Sequence, residues 1–170
     1  MRRTIVITIA FITLASTCAT AAGVQFRSIV RRGGLPVSSC TSTVTVPLRF
    51  AYDPLAGTDQ VATTVVTLRC SPPQFLGTIA LTAGNSAEFG RRRQMWRNGT
   101  DASDTLEYDL YASGNANAVW GDGTDGTTVV VVNRTVATYT ALIFARLSYP
   151  QRHVSAGNYS DTITMIFDLR

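Results

Sequence analysis

The sequence predicts an all-β fold with the architecture of an immunoglobulin-like sandwich. Apolar and polar residues alternate along most of the chain, which is the side-chain period of a half-buried strand. Turn-forming residues separate the alternating runs at short intervals, as in sandwiches of two packed sheets. Beyond Ala21, no stretch keeps the apolar spacing of an amphipathic helix over three turns.

Apolar residues at every second position predict most of the strands. These runs are 44–50, 66–70, 79–81, 106–110, 139–147 and 163–169. Residues 127–132 form a continuous β-branched run instead, which predicts a strand covered on both faces. Turn signals such as Asp53-Pro54 and Gly121-Asp122-Gly123 separate the runs. Residues 84–104 are the least regular stretch, and we expect a long loop or a short helix there.

The N-terminus has the order of segments found in a secretory signal peptide. Met1-Arg2-Arg3 precedes an apolar run over 5–14, and small residues follow up to Ala21. We predict cleavage before Ala22, with Gly23 as the alternative. A permanent bilayer-spanning helix needs about 18 apolar residues, and no such run occurs, so we expect no stable membrane insertion. A lipid anchor on Cys18 is disfavoured, because Thr17 is large for the preceding position.

Removal of the signal peptide leaves one pair of cysteines, Cys40 and Cys70. An exported protein meets an oxidising compartment, so this pair predicts a disulfide. Closing a loop of about 30 residues would stabilise the fold by about 3–4 kcal/mol. A metal site at these cysteines would need further ligands, and His153 is the only histidine. We therefore expect no metal or cofactor.

Composition and motifs argue against nucleic-acid binding and catalysis. Without Arg2 and Arg3, the 15 basic residues fall to 13 against 11 acidic ones, too small an excess for a nucleic-acid surface. The basic cluster at 91–97 is short. His153 lies in a predicted loop without a nucleophile elbow, so no catalytic triad is expected.

Four carboxylates of one region could in principle hydrolyse glycosides. They are Asp101, Asp104, Glu107 and Asp109. Glu107 and Asp109 alternate with apolar residues, so they are more simply the solvent face of a strand. We expect no catalytic residues.

Four motifs of the second half occur in a recognisable order. They are Arg93-Gln94-Met95, Leu106-Glu107-Tyr108-Asp109-Leu110-Tyr111, Val119-Trp120-Gly121-Asp122-Gly123-Thr124 and Ala156-Gly157-Asn158-Tyr159-Ser160-Asp161-Thr162-Ile163. Together they resemble the spore coat protein U domain family, which includes the subunits of archaic chaperone–usher pili. The resemblance spans about residues 40–170. We expect structural roles for its motif residues, which are Tyr108, Trp120, Gly121, Gly157, Tyr159 and Asp161.

The resemblance implies a sandwich that is incomplete, because its last strand is missing. A periplasmic chaperone would fill the gap first, and the N-terminal extension of another subunit would then replace it at an outer-membrane usher. This assigns 1–21 to the signal peptide, 22–39 to the extension and 40–170 to the pilin-like domain. The edge strand of the open groove would carry Ile163, Met165, Phe167 and Leu169.

The extension has the pattern that an inserted strand requires. The alternating residues of this candidate donor strand are Val24, Phe26, Ser28 and Val30. Gly33-Gly34 separates them from the first cysteine and favours the donor role. The alternative is that this segment is the domain's own first strand.

These inferences lead to one expected function and two alternatives. We expect a structural subunit of a surface pilus or coat, exported through the periplasm to the cell surface or secreted. It would form a homo- or hetero-polymer by donor-strand exchange and support adhesion or biofilm formation. The chaperone, the usher and other pilus subunits would be its partners, without nucleic acid. A self-contained secreted binding module or tip adhesin is the main alternative, and a secreted hydrolase is disfavoured.

Overall fold

Ten strands and one short 3-10 helix account for the regular structure in the described part of the chain. The computed structural model describes residues 20–32, 39–55, 57–71, 75–87, 92–114, 116–134, 137–151 and 154–169. The strands are β1 (Thr20–Arg32), β2 (Ser39–Val44), β3 (Leu48–Tyr52), β4 (Gln60–Ser71), β5 (Phe75–Leu81), β6 (Arg93–Arg97), β7 (Asp101–Tyr111), β8 (Val130–Arg134), β9 (Thr138–Leu147) and β10 (Asn158–Leu169). The all-β prediction is confirmed, whereas the immunoglobulin-like detail stays a prediction.

All ten strands belong to one hydrogen-bonded sheet. Its order is β2-β4-β9-β7-β6-β10-β1-β3, and β5 branches from β10 and pairs with β8. The sheet curls, so that the buried side chains from its strands meet in one apolar cluster. Alternation explains this burial: in β9 the alternate residues Ala141, Ile143, Ala145 and Leu147 are buried, while Leu142 and Arg146 face outwards.

The predicted strand over 44–50 is divided in two. β2 ends at Val44, and β3 begins at Leu48 after a bend. Pro47 lies in this gap, and its missing N–H cannot join a ladder of hydrogen bonds. Val46 is 54% exposed, while Leu48 and Phe50 are buried. Apolar residues at every second position therefore need not belong to one strand, as shown by Val44, Val46, Leu48 and Phe50.

The β-branched run at 127–132 is not covered on both faces. Only part of it belongs to β8, which pairs with β5 alone among the described strands. Val132 is buried, but Val131 is 74% exposed. A β-branched run indicates that the backbone is extended. It does not indicate whether the strand lies at the edge or in the centre of a sheet.

The expected irregular region at 84–104 contains more structure than the sequence indicated. A 3-10 helix at Gly84–Ser86 precedes β6, and β7 begins at Asp101. Within the described ranges, no helix has the length and apolar character needed to cross a lipid bilayer.

Candidate functional site: the strand inserted between β3 and β10

β1 lies between β10 and β3 and joins them in one sheet. It runs parallel to β10, with Ala21 opposite Asn158 at one end and Arg32 opposite Leu169 at the other. It runs antiparallel to β3, with Val24 opposite Leu48. β3 has no other strand partner among the described residues. Removal of β1 would therefore expose the edge of β10 and leave β3 without a strand partner among the described residues.

The inward face of β1 carries small and medium apolar side chains. Ala22 is 3% exposed and Val24 is 1% exposed, and Phe26 is half-buried against the core. Gln25 and Arg27 are exposed on the opposite face. The side chains of Ser28 and Val30, the other two residues of the candidate donor strand, lie outside the described part of the structure. The donor role of all four residues stays a prediction.

β10 supplies buried apolar side chains beside β1. Ile163, Met165 and Phe167 are buried, and they lie opposite Phe26, Ser28 and Val30 in the strand register. The side chain of Leu169 lies outside the described residues. β1 of the same chain pairs with this edge of β10, as in the alternative in which residues 22–39 contain the domain's own first strand, and the role of these residues at an open groove stays a prediction. The sequence could not indicate this pairing, because alternation specifies a buried face and leaves the partner strand undetermined.

The two parts of β1 are held unequally. Residues up to Val24 pair with β10 on one side and with β3 on the other. From Gln25 to Arg32, β10 is the only strand partner in the described structure. The N-terminal part is thus a central strand with two ladders of hydrogen bonds, and the C-terminal part is an edge.

A disulfide lies near the start of the predicted domain. Cys70 is buried and disulfide-bonded. Cys40 lies directly opposite Cys70 in the antiparallel register of β2 and β4. Opposed residues in such pairs have Cα atoms about 4.5–5.5 Å apart, a separation that disulfides span. The side chain of Cys40 lies outside the described residues, so its pairing with Cys70 stays a prediction that this register supports.

A buried arginine connects the first and third sequence motifs. Arg93 is 1% exposed; its Nε donates a 3.0 Å hydrogen bond to the Thr82 carbonyl and one Nη donates a 2.6 Å bond to the Trp120 carbonyl. The Trp120 indole is buried, and its Nε1 donates to the Ile79 carbonyl at 2.9 Å. Both side chains therefore donate hydrogen bonds to backbone carbonyls, which is a structural use of these motifs.

A buried tyrosine and a buried carboxylate connect the second and fourth motifs. The Tyr108 hydroxyl donates to Asp161 Oδ2 at 2.7 Å, while Oδ1 accepts from the backbone N–H of Asn85 at 2.9 Å and of Thr162 at 2.6 Å. Burial away from water raises the pKa of Asp161, and these hydrogen bonds oppose the rise. Burial and the adjacent carboxylate raise the pKa of Tyr108 well above its usual value. Tyr108 therefore remains a hydrogen-bond donor. We call Arg93, Tyr108, Trp120 and Asp161 the polar centre.

The remaining motif residues allow close packing or make hydrogen bonds. A Cβ at Gly157 would lie 2.8 Å from Arg97 Nε, and a Cβ at Gly121 would overlap the Thr127 side chain. The Tyr159 hydroxyl lies 2.9 Å from the Ser155 carbonyl and also bonds the carboxylate of Asp104. Each of these residues thus has a packing or hydrogen-bonding reason to be present.

Two of the four carboxylates considered for catalysis make structural contacts. Asp104 bonds Tyr159, and Asp109 lies 3.5 Å from Arg92. The prediction that Asp109 faces solvent is wrong, because its side chain is buried beside that arginine. Among the described residues, no group of three or more His, Cys, Asp or Glu side chains could hold a metal ion. His153 lies outside them.

The comparison with protein families identifies the chain. The family described as the Spore Coat Protein U domain matches residues 6–166. The chain belongs to the Spore Coat Protein U domain family. The four ordered motifs of the second half had indicated this family, and they supply the polar centre of this Spore Coat Protein U domain. No curated protein matches the chain.

A complex from a pilus system is among the solved structures that this Spore Coat Protein U domain is similar to. It is the CsuC–CsuE chaperone–tip adhesion subunit pre-assembly complex from the archaic chaperone–usher Csu pili of Acinetobacter baumannii. The two chains are 16% identical with a TM-score of 0.45. The match covers 76% of this chain and 39% of the other, so this chain spans about two fifths of that neighbour's length.

Proposed function

We propose that this protein is a structural subunit of a surface pilus or coat, assembled through a chaperone–usher pathway by donor-strand exchange. The observation that supports the proposal most is the position of β1 between β10 and β3. A strand at the end of a chain can leave such a place and be replaced, because most of its binding energy comes from backbone hydrogen bonds and a few alternate apolar side chains.

In the proposed assembly, the part of β1 that remains after cleavage before Ala22, residues 22–32, occupies the groove of another subunit. The signal peptide, residues 1–21, directs export, and residues 22–39 form the extension that is exchanged. Residues 40–170 form the pilin-like domain, which receives a strand from a periplasmic chaperone and then from another subunit at the outer-membrane usher. The product is a homo- or hetero-polymer on the cell surface that supports adhesion or biofilm formation.

The proposed disulfide has a mechanical role in this assembly. β2 begins at Ser39, the last residue of the extension, and β4 is its only strand partner among the described residues. A covalent bond between Cys40 and Cys70 would stop a force on the extension from unravelling β2. Each subunit would then transmit tension through the disulfide to the centre of the sheet.

A self-contained secreted binding module is the second candidate. The observation that favours it is that β1 pairs with the edge of β10 within its own chain. In that case β1 would be the domain's permanent first strand. The protein would be a monomer that binds its target through its surface.

Cell fractionation separates the two candidates. The chain is produced with a cognate chaperone and usher, and surface extracts are run on gels before and after heating. A subunit gives a ladder of polymers that heating dissociates, whereas a binding module gives a monomer only. Phe26→Asp should abolish the ladder, because it places a charge on the buried face of the donor strand. Gln25→Asp on the exposed face is the matched control and should preserve the ladder. A monomer in every sample contradicts the proposed function.

A further inference from the structure

We infer that β1 is a self-inhibitory plug, which closes the groove of its own subunit and is released from its C-terminal part first. The inference rests on the proposed function in one respect, namely that the strand which finally displaces β1 comes from another protein. Closure itself follows from the pairing of β1 with β10 and β3 within one chain.

Attachment to the same chain gives β1 a large advantage over any free strand. A strand on a short linker has an effective concentration of about 1 mM, so an equally good free strand at about 10 µM would occupy only about one groove in a hundred. An isolated subunit should therefore remain a closed monomer at micromolar concentration. Polymerisation would need a partner that holds β1 out of the groove.

The unequal pairing of β1 gives its release a direction. Ala22 and Val24 are buried, and their part of the strand has hydrogen-bonding partners on both sides. The part from Gln25 to Arg32 has a strand partner on one side only within the described structure, and Phe26 is half-buried there. Local opening begins where stabilising hydrogen bonds are fewest. The C-terminal part of β1 should thus separate from β10 first and expose the edge next to Met165 and Phe167 to an incoming strand.

The closing function can be tested by uptake of a free strand. The mature chain is mixed with a fluorescent peptide of residues 22–32, and bound peptide is measured after gel filtration. Val24→Asp in the chain weakens the plug but leaves the groove unchanged, so this variant should bind the peptide at least about tenfold more than the unmodified chain. Gln25→Asp, the neighbouring exposed position, is the control and should bind as little as the unmodified chain.

A milder variant keeps the test decisive if Val24→Asp does not fold. Val24→Thr preserves the branched shape and adds one buried hydroxyl, so its peptide uptake should lie between those of the unmodified chain and Val24→Asp. The inference is overturned if the unmodified chain takes up the peptide as readily as either Val24 variant. It is equally overturned if a folded Val24→Asp chain takes up none.

Hydrogen–deuterium exchange tests the direction of release. In the unmodified monomer, fragments covering residues 27–32 should exchange faster than fragments covering 22–26. Equal protection of the two parts would overturn the claim that the C-terminal part of β1 is released first.

The two proposals can fail separately. If the chain forms surface fibres but the isolated subunit is open and takes up peptide freely, self-closure is wrong and the fibre function stands. If Val24→Asp opens the groove as expected and no polymer forms with a chaperone and usher, closure is right and the fibre function is wrong.

Discussion

The polar centre and β1 show two different ways of holding a β-protein together. Arg93, Trp120, Tyr108 and Asp161 make hydrogen bonds to particular buried partners, so each side chain is needed at its position. β1 is held by backbone pairing and a few alternate apolar side chains, which another strand could supply. Under the proposed function, this difference separates a permanent body from a replaceable strand.

The two regions meet at one point of the register. Val24 of β1 lies opposite Asp161 of β10, whose carboxylate is fixed by Tyr108 and by backbone N–H groups. None of these bonds to Asp161 involves β1, so we expect the polar centre to hold β10 in place when β1 leaves. A groove that keeps its shape when empty is what an exchange of strands requires.

The largest effect should come from breaking the polar centre at Trp120. Trp120→Ala removes a buried ring and the hydrogen bond to Ile79, and should lower the free energy of unfolding by about 3–5 kcal/mol. Urea denaturation measures the change. Val131→Ala, at an exposed position, is the control and should change it by no more than about 0.5 kcal/mol. Normal stability combined with a selective loss of adhesion would instead make Trp120 a binding residue.

Sequence patterns predicted the strands better than their partners. Alternation located β4, β9 and β10, because each has one buried face. The parallel pairing of β1 with β10 depends on residues far apart in the chain, and no local pattern states it. Arg93 was assigned to a basic cluster, although it shares parity with the apolar Met95, and that parity was an available signal that it points into the core.

The disulfide should have the next largest effect. Cys40→Ser should lower the stability by about 3–4 kcal/mol and reduce the amount of protein recovered from the periplasm. Mass spectrometry with and without thiol alkylation tests the pairing directly. Two alkylated cysteines in the native, unreduced protein would rule out the predicted bond.

A smaller loss is expected when only one hydrogen bond of the polar centre is removed. Tyr108→Phe keeps the ring and deletes the donor to Asp161, which should cost about 1–3 kcal/mol because the carboxylate remains buried. The same urea titration measures it. If the variant is as stable as the unmodified chain, the Tyr108 hydroxyl does not support the buried charge.

Asp161 and Asp59 should contribute to the pH dependence of stability with opposite signs. Burial raises the pKa of Asp161 in the folded state, so the stability of the unmodified chain relative to Asp161→Asn should fall as the pH rises above 3.8. The hydrogen bond from the backbone of Tyr149, with that from Arg146, lowers the pKa of Asp59. The extra stability of the unmodified chain over Asp59→Asn should therefore be present above pH 3.8, and it should be lost as the pH falls below that value. Denaturation of the three proteins between about pH 3 and pH 7 measures both slopes, and slopes of the same sign would contradict the assignment.

Hydrogen–deuterium exchange with an excess of free strand tests the central claim most directly. The mature chain is labelled with and without the peptide of residues 22–32 at about 1 mM, where the peptide can compete with the attached strand. If β1 is replaceable, its own amides should lose protection when the peptide is present, while β10 and the backbone around Tyr108 and Trp120 stay protected. If β1 remains protected, or if the polar centre loses protection together with β1, then β1 is a permanent part of the fold.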